Sequence, residues 1–117
     1  MSEIRVFTDK EKRDLAHQVF VDISLDLADL RSADLRGARF RCVSLRAADL
    51  RGADLRGAEF VECDLREAYL SDVQLGLNTF EGCRLHGATG LSEPQRQYVV
   101  KKGGDFVSAG APPGGQP

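Results

Sequence analysis

The sequence predicts an all-β solenoid, a four-sided coil of stacked parallel rungs wound in five-residue steps over residues 21–91. Two observations predict it. Every fifth position from Leu25 to Leu85 is Leu or Phe, thirteen in succession, and two residues before each stands a small or modest side chain, as in Ala28, Ala33, Ala38 and Val43. Independently, Phe20, Phe40, Phe60 and Phe80 recur every 20 residues, in step with the columns Ile23, Val43, Cys63, Cys83 and Ala28, Ala48, Ala68, Ala88. The first period sets the length of a side, and the second sets four sides to a turn.

Taken in order, the chain opens with an N-terminal cap over residues 1–20. Thr8 and Glu11 stand three apart, the spacing of a capping box, and Leu15, Ala16 and Val19 share one face of the helix this box would open. The pattern predicts a short helix near 9–17 that leads into the coil from about Phe20. A competing reading takes Leu15 and Phe20 as a first, irregular coil, because both keep the five-residue register.

In the coil itself, a period of five matches neither a helix at 3.6 nor a plain strand at 2. It matches a short strand followed by a corner. The two apolar positions, two residues apart, point to the same side of an extended segment, and their mostly charged neighbours point outward. Many corner positions two after each Leu or Phe are small, among them Ser32, Gly37, Ala47, Gly52 and Gly57. Small residues relieve a sharp bend there. Phe20, Phe40, Phe60 and Phe80 and the alanines Ala28, Ala48 and Ala68 are the candidate core, like stacked on like from rung to rung.

The units Ala28-Asp29-Leu30-Arg31, Ala48 to Gly52 and Ala53 to Gly57 resemble those of the pentapeptide-repeat family. The resemblance covers roughly 70 residues. It implies a right-handed quadrilateral parallel β-helix, to which the capping boxes add short helical caps at one or both ends. Departures gather late: Asn78 replaces Ala, Asp72 and Leu77 occupy corners, and Gly90 stands where Leu is expected, so the coil is expected to fray there.

Residues 92–106 form the C-terminal capping helix and segment. Ser92 and Gln95 make a second capping box, and Gly103 is a stop, so a helix near 93–102 lays Tyr98 and Val99 or Val100 over the last rung. The remainder, 107–117, is dominated by Gly, Pro and Ala and is expected to be a disordered tail.

Function must lie on the surface. The tripeptide Asp-Leu-Arg recurs at 29–31 and 49–51 on one side and at 34–36 and 54–56 on another, so Arg31, Arg51, Arg36 and Arg56 project outward in columns. Arg46 and Arg66, continued by His86, mark a third side. The bland reading is a solvated face that keeps the coil soluble. The sharper reading is an arginine-studded docking face for an acidic protein partner. Val61, Tyr69, Leu27 and Leu77 are the exposed apolar candidates and fall on different sides.

Site chemistry is sparse. Cys63 and Cys83 stack in a packed column and read as reduced core thiols, and Cys42 stands at a corner with no activating neighbour. His86 has no nucleophile evidently placed beside it. No cofactor, metal site or enzyme activity is expected. With 16 basic and 18 acidic residues, bulk attraction to nucleic acid or anionic lipid is not expected either. No apolar run approaches a membrane span, and the default compartment is the cytoplasm. The expected role is a non-catalytic protein-binding or scaffolding module with an unidentified protein partner. The family resemblance implies an alternative, a DNA-mimicking protein that binds gyrase and protects it from inhibitors. A homodimer would form through an end rung, and the C-terminal one, near Leu77, is the candidate.

Overall fold

The computed structural model describes residues 6–107. Helix α1 spans Asp9–Arg13, strands β1, β2 and β3 span Val19–Val21, Arg39–Arg41 and Glu59–Val61, and helix α2 spans Glu93–Lys101. The strands form one parallel sheet in the order β1-β2-β3, with Phe20, Phe40 and Phe60 in register. Three further ladders of single bridges keep the same 20-residue register. They run Ser24–Ser44–Asp64–Arg84, Asp29–Asp49–Tyr69–Thr89 and Asp34–Asp54–Gln74. Four parallel ladders per circuit make four walls, as the two sequence periods require.

The interior obeys the five-residue pattern. Leu30, Leu35, Leu45, Leu50, Leu55 and Leu65 are at most 1% exposed, and Ala28, Ala33, Ala38, Ala48, Ala53, Ala58 and Ala68 are fully buried. Phe20, Phe40, Phe60 and Phe80 stack face to face, with ring centroids 4.9, 4.7 and 5.2 Å apart. Rings that close, offset by one rung rise, fill the wall's inner side without gaps between turns.

Most corners are closed by a tight turn such as Ala38 N–H to Leu35 C=O at 3.1 Å. The corner residue takes a left-handed φ at every fifth position from His17 to Gly87. Five of these fifteen corners are glycine, and the others, including Asp22, Leu27, Cys42, Glu62 and Leu77, accept φ between 53° and 63°. Side chains are disfavoured there by roughly 1–2 kcal/mol, so the ladders on both sides of a corner hold it in that conformation.

The register begins earlier than expected. Helix α1 ends at Arg13, four residues short of the predicted end at 17. Leu15 is buried and His17 already takes the corner conformation, with its N–H donating to Arg36 C=O at 2.9 Å. The competing reading, a first irregular coil from Leu15, therefore describes this stretch. The helix stops because its last turn serves as a rung: Lys12 C=O accepts from Asp34 N–H at 2.9 Å, and Lys12 Nζ lies 3.2 Å from Asp29.

Two inward positions differ from the expectation. Ile23 is 43% exposed and Phe20 only partly buried. Both keep the register, but they lie on the first full circuit, where α1 covers the other side of the end. The late stretch does not fray, since Gln74, Thr79, Arg84 and Thr89 all keep the bridge register. Asn78 is the reason the departure is tolerated. Buried in the alanine column, its Nδ2 donates to Leu55 C=O at 2.7 Å and Ala58 C=O at 2.8 Å, and its Oδ1 accepts from Gly76 N–H at 2.8 Å.

At the C-terminal end α2 lies over the last circuit, with Val99 buried and Val100 exposed. Tyr98 Oη accepts from Asn78 N–H at 2.8 Å, and Gln95 Nε2 donates to Val73 C=O at 3.2 Å. The chain then turns back and pairs with the coil: Lys102 C=O accepts from Phe80 N–H at 2.9 Å, and Asp105 bridges Arg84. Gly104 permits this return, because a Cβ there would stand 2.5 Å from Val99 and 2.9 Å from Leu85. Of the expected tail, residues 108–117 lie outside the described residues.

Candidate protein-binding surface

Because the leucine of each Asp-Leu-Arg tripeptide points inward, its two neighbours share the outer face and stand close enough to pair with each other. They do so as a fork. Arg51 donates from Nε to Asp49 Oδ1 at 2.8 Å and from Nη2 to Asp49 Oδ2 at 2.6 Å. Arg31 grips Asp29 at 2.9 and 3.0 Å, Arg36 grips Asp34 at 2.8 and 2.8 Å, and Arg56 grips Asp54 at 2.9 and 2.6 Å. In each unit the arginine's own backbone N–H also donates to the same Asp Oδ1, at 3.1 to 3.2 Å. Two adjacent walls thus carry four identical forks, two on each, with the guanidiniums a little over half exposed.

The other two predicted arginines behave differently from each other. Arg66 forks Asp64 at 2.9 and 2.7 Å on the third wall, in a less exposed setting. The Arg46 guanidinium is exposed and has no ion pair among the described residues, while its backbone N–H donates to Asp26 at 2.9 Å. Asp26 also accepts from the Ser44 hydroxyl. Sequence spacing places all six arginines outward but leaves Asp and Arg as separate columns. The spacing of two on one face was the available signal for the fork within each tripeptide.

The forks shift the carboxylates. Hydrogen bonds from Arg31, Arg36, Arg51 and Arg56 hold Asp29, Asp34, Asp49 and Asp54 below the usual carboxylate range, against a smaller opposing push from burial. At Asp64 burial is the largest influence and pushes up, yet the hydrogen bonds from Arg66 outweigh it and the net shift is down. A lowered folded-state pKa stabilises the fold above the ordinary value near 3.9, and that stabilisation is lost as pH falls through the folded value. The forks are therefore expected to lose their charge at a lower pH than an unpaired aspartate does. Carboxyl-resolved NMR titration checks this: Asp49 and Asp54 should titrate below their peptide value, and Arg51→Gln should return Asp49 toward it.

Elsewhere the surface offers little chemistry. Cys63 and Cys83 are buried free thiols whose Sγ–H groups donate to Phe40 C=O and Phe60 C=O, each at 3.3 Å. The Cys63 thiol beside it, together with burial, holds the Cys83 thiol well above the ordinary range. Cys42 is exposed at its corner, and His86 is exposed. Among the described residues no group of three or more His, Cys, Asp or Glu could hold a metal ion, and no helix is long and apolar enough to cross a membrane.

Residues 14–46 and 44–87 match the family model for pentapeptide repeats, in eight copies. No curated protein matches the chain. Among solved structures, the chain is similar to HetL, a pentapeptide repeat protein involved in heterocyst differentiation regulation from the cyanobacterium Nostoc. Identity there is 26% and the TM-score 0.40, over 62% of this chain and 40% of HetL. A pentapeptide repeat protein of the Arabidopsis thaliana thylakoid lumen is 28% identical with a TM-score of 0.37, over 90% of this chain and 83% of that one. A plasmid-mediated fluoroquinolone resistance protein is 24% identical with a TM-score of 0.27, over 62% of this chain and 45% of that one. The chain thus spans less than half of the length of HetL and of the resistance protein.

Proposed function

From the premise that the chain belongs to the pentapeptide-repeat family, we propose that it is a non-catalytic protein-binding module whose contact surface is the row of Arg31, Arg51, Arg36 and Arg56. The observation that carries this reading is the fixed orientation of the four guanidiniums, each clamped by its own Asp at 2.6 to 3.0 Å. A guanidinium has about five N–H donors. The fork uses two and leaves the others facing outward. A side chain already held in place loses less rotamer freedom when a partner docks, so the row is pre-organised for acceptor groups.

The fork also limits how the surface attracts. Every arginine charge on these walls is matched in place by a carboxylate, so the walls carry alternating rather than net charge. Recognition then rests on short-range hydrogen bonding and register more than on long-range steering. The favoured partner is a protein surface with carboxylates or carbonyls at rung spacing, about 4.8 Å. Affinity capture from source lysate tests this. A partner recovered by the unaltered chain should be lost when Arg31, Arg51, Arg36 and Arg56 are changed together to Glu, and an undiminished catch removes the proposal.

The alternative of a DNA-mimicking gyrase-binding protein needs a side that is strongly negative. Here Asp29, Asp34, Asp49 and Asp54 are each neutralised by the neighbouring arginine. That reading ranks second. A gyrase supercoiling assay decides it, since inhibition or drug protection near equimolar protein would reverse the order.

A further inference from the structure

The two ends of the coil are finished differently. At the C-terminal end, α2 and the returning segment pair with the last circuit through Phe80, Leu85 and Cys83. At the N-terminal end, α1 supplies a rung only on the wall of Leu35, through Lys12 C=O. The neighbouring wall begins with β1, an edge strand of the sheet. The Val19 and Val21 N–H and C=O groups point away from β2, and among the described residues nothing pairs with them. On this first circuit Val19 is 62% exposed, Val21 46%, Ile23 43% and Leu27 57%. The Val19 and Val21 side chains project from the outer face of the wall, beside Arg39, Arg41 and Val61, and the inward-facing Phe20 and Ile23 are less covered at the end than their counterparts on later circuits.

We propose that this edge is the interface of a two-fold homodimer, in which β1 of one copy pairs antiparallel with β1 of a second copy about an axis through Phe20. The pairing is self-complementary for three reasons. An antiparallel strand centred on Phe20 sets Val19 opposite the second copy's Val21 and the reverse, and both are residues whose N–H and C=O face the edge. Each such pair exchanges two hydrogen bonds, about four in all. The opposed side chains carry no like charges: Val faces Val, Phe faces Phe, and Gln18 faces Asp22. The phenylalanine stack, which ends at the half-buried Phe20, then continues into the second copy's stack.

No Lys, Pro or bulge interrupts Val19-Phe20-Val21, three of the devices by which natural sheets discourage pairing, and the shortness of the strand limits the pairing to its three residues. Assembly stops at two because a two-fold interface uses the same patch on both copies and the far end is closed by α2. The dimer edge is separate from the arginine walls, which run along the outside of the coil.

Light scattering on the full chain at tens of micromolar tests it. The expected mass is twice the 12.8 kDa of one chain. Two double variants, at positions exposed in the single chain, fix the register. Val19→Lys with Val21→Lys sets like charges opposite each other in both pairs and should halve the mass. Val19→Lys with Val21→Glu sets opposite charges there and should restore the dimer. Circular dichroism and a cooperative melt confirm that both variants keep the coil. A single-chain mass for the unaltered protein overturns the proposal, as it would if the chain's own residues 1–5 occupied the edge. A dimer that survives the two-lysine change, or one that the Lys and Glu change fails to restore, overturns it as well.

Discussion

Phe60→Ala is expected to cost about 3–5 kcal/mol of folding stability, the range for emptying a buried aromatic site. Phe60 is 1% exposed, and its ring lies between Phe40 and Phe80 at 4.7 and 5.2 Å. Removing it leaves a gap in the middle of the stack and forfeits two ring contacts, together worth about 1–3 kcal/mol and part of the same total. The neighbours cannot close the gap, because each is held at its height by ladder hydrogen bonds on the outer wall. Phe80 N–H, for example, donates to Lys102 C=O at 2.9 Å. Urea denaturation should show a lower midpoint, and the thermal midpoint should fall by on the order of 15 °C. Phe20→Ala is the matched control. In the single chain its ring has one stacking neighbour and partial exposure, so at concentrations dilute enough to keep the chain single the cost should be well under half. Equal losses at the two positions would show that the column does not act as a continuous support.

Asn78→Ala carries the second large effect, and its sign runs against the repeat. Alanine is the regular occupant of this column, yet the substitution is expected to destabilise by about 2–4 kcal/mol, because it leaves buried partners unpaired. Ala58 C=O loses the Asn78 donor, Leu55 C=O is left with only the Ala58 N–H at 3.0 Å, and Gly76 N–H loses its acceptor. Asn78→Asp should be at least as damaging at neutral pH, since it replaces a donor with a carboxylate facing two carbonyl oxygens. Tyr98→Phe removes only the hydroxyl that accepts from Asn78 N–H and should cost about 1 kcal/mol. Tyr98 Oη also donates to Asn78 Oδ1 at 3.4 Å, so a double-mutant cycle of Asn78→Ala and Tyr98→Phe, measured in urea, should give a small coupling energy from that contact, because Asn78→Ala keeps the backbone N–H that Tyr98 Oη accepts from. Additive losses would mean that the hydroxyl holds α2 to the coil through the backbone N–H alone.

These two residues also mark what could be read from sequence. The position of Phe60 was legible because inward-facing groups repeat with the circuit, and a spacing of 20 has no other simple explanation. The burial of the leucines and alanines comes from the same spacing, and so does the outward placement of the six arginines. Asn78 was legible only as a departure. Its compensation depends on Leu55, Ala58 and Tyr98, which are brought near by winding and by a helix that interrupts the repeat.

The ends were harder for a related reason. A helix signal at Thr8 and Glu11 says where α1 starts, but its end is set by Lys12 pairing with Asp34, a contact between residues 22 apart. The return of Lys102 to Asp105 onto the coil was invisible because α2 stands between it and the repeat, and its partner Arg84 lies 21 residues back, out of step with the circuit. The outward-facing forks were nearly legible. The pattern sets Asp and Arg on one face two residues apart, and hides only that Nε and Nη2 reach both carboxylate oxygens without disturbing the strand.

The regular left-handed corners from His17 to Gly87 have a consequence for how such a chain can change length. A loss or gain of five residues keeps every inside group inside but rotates all later residues by a quarter circuit. Phenylalanines then rise over leucines, and the guanidinium rows pass to a different wall. Only a splice of 20 residues preserves phase, because that is the spacing at which Phe20, Phe40 and Phe60 align. Variation in length therefore comes in whole storeys, and each added storey lengthens every exterior row at once without altering its lateral order.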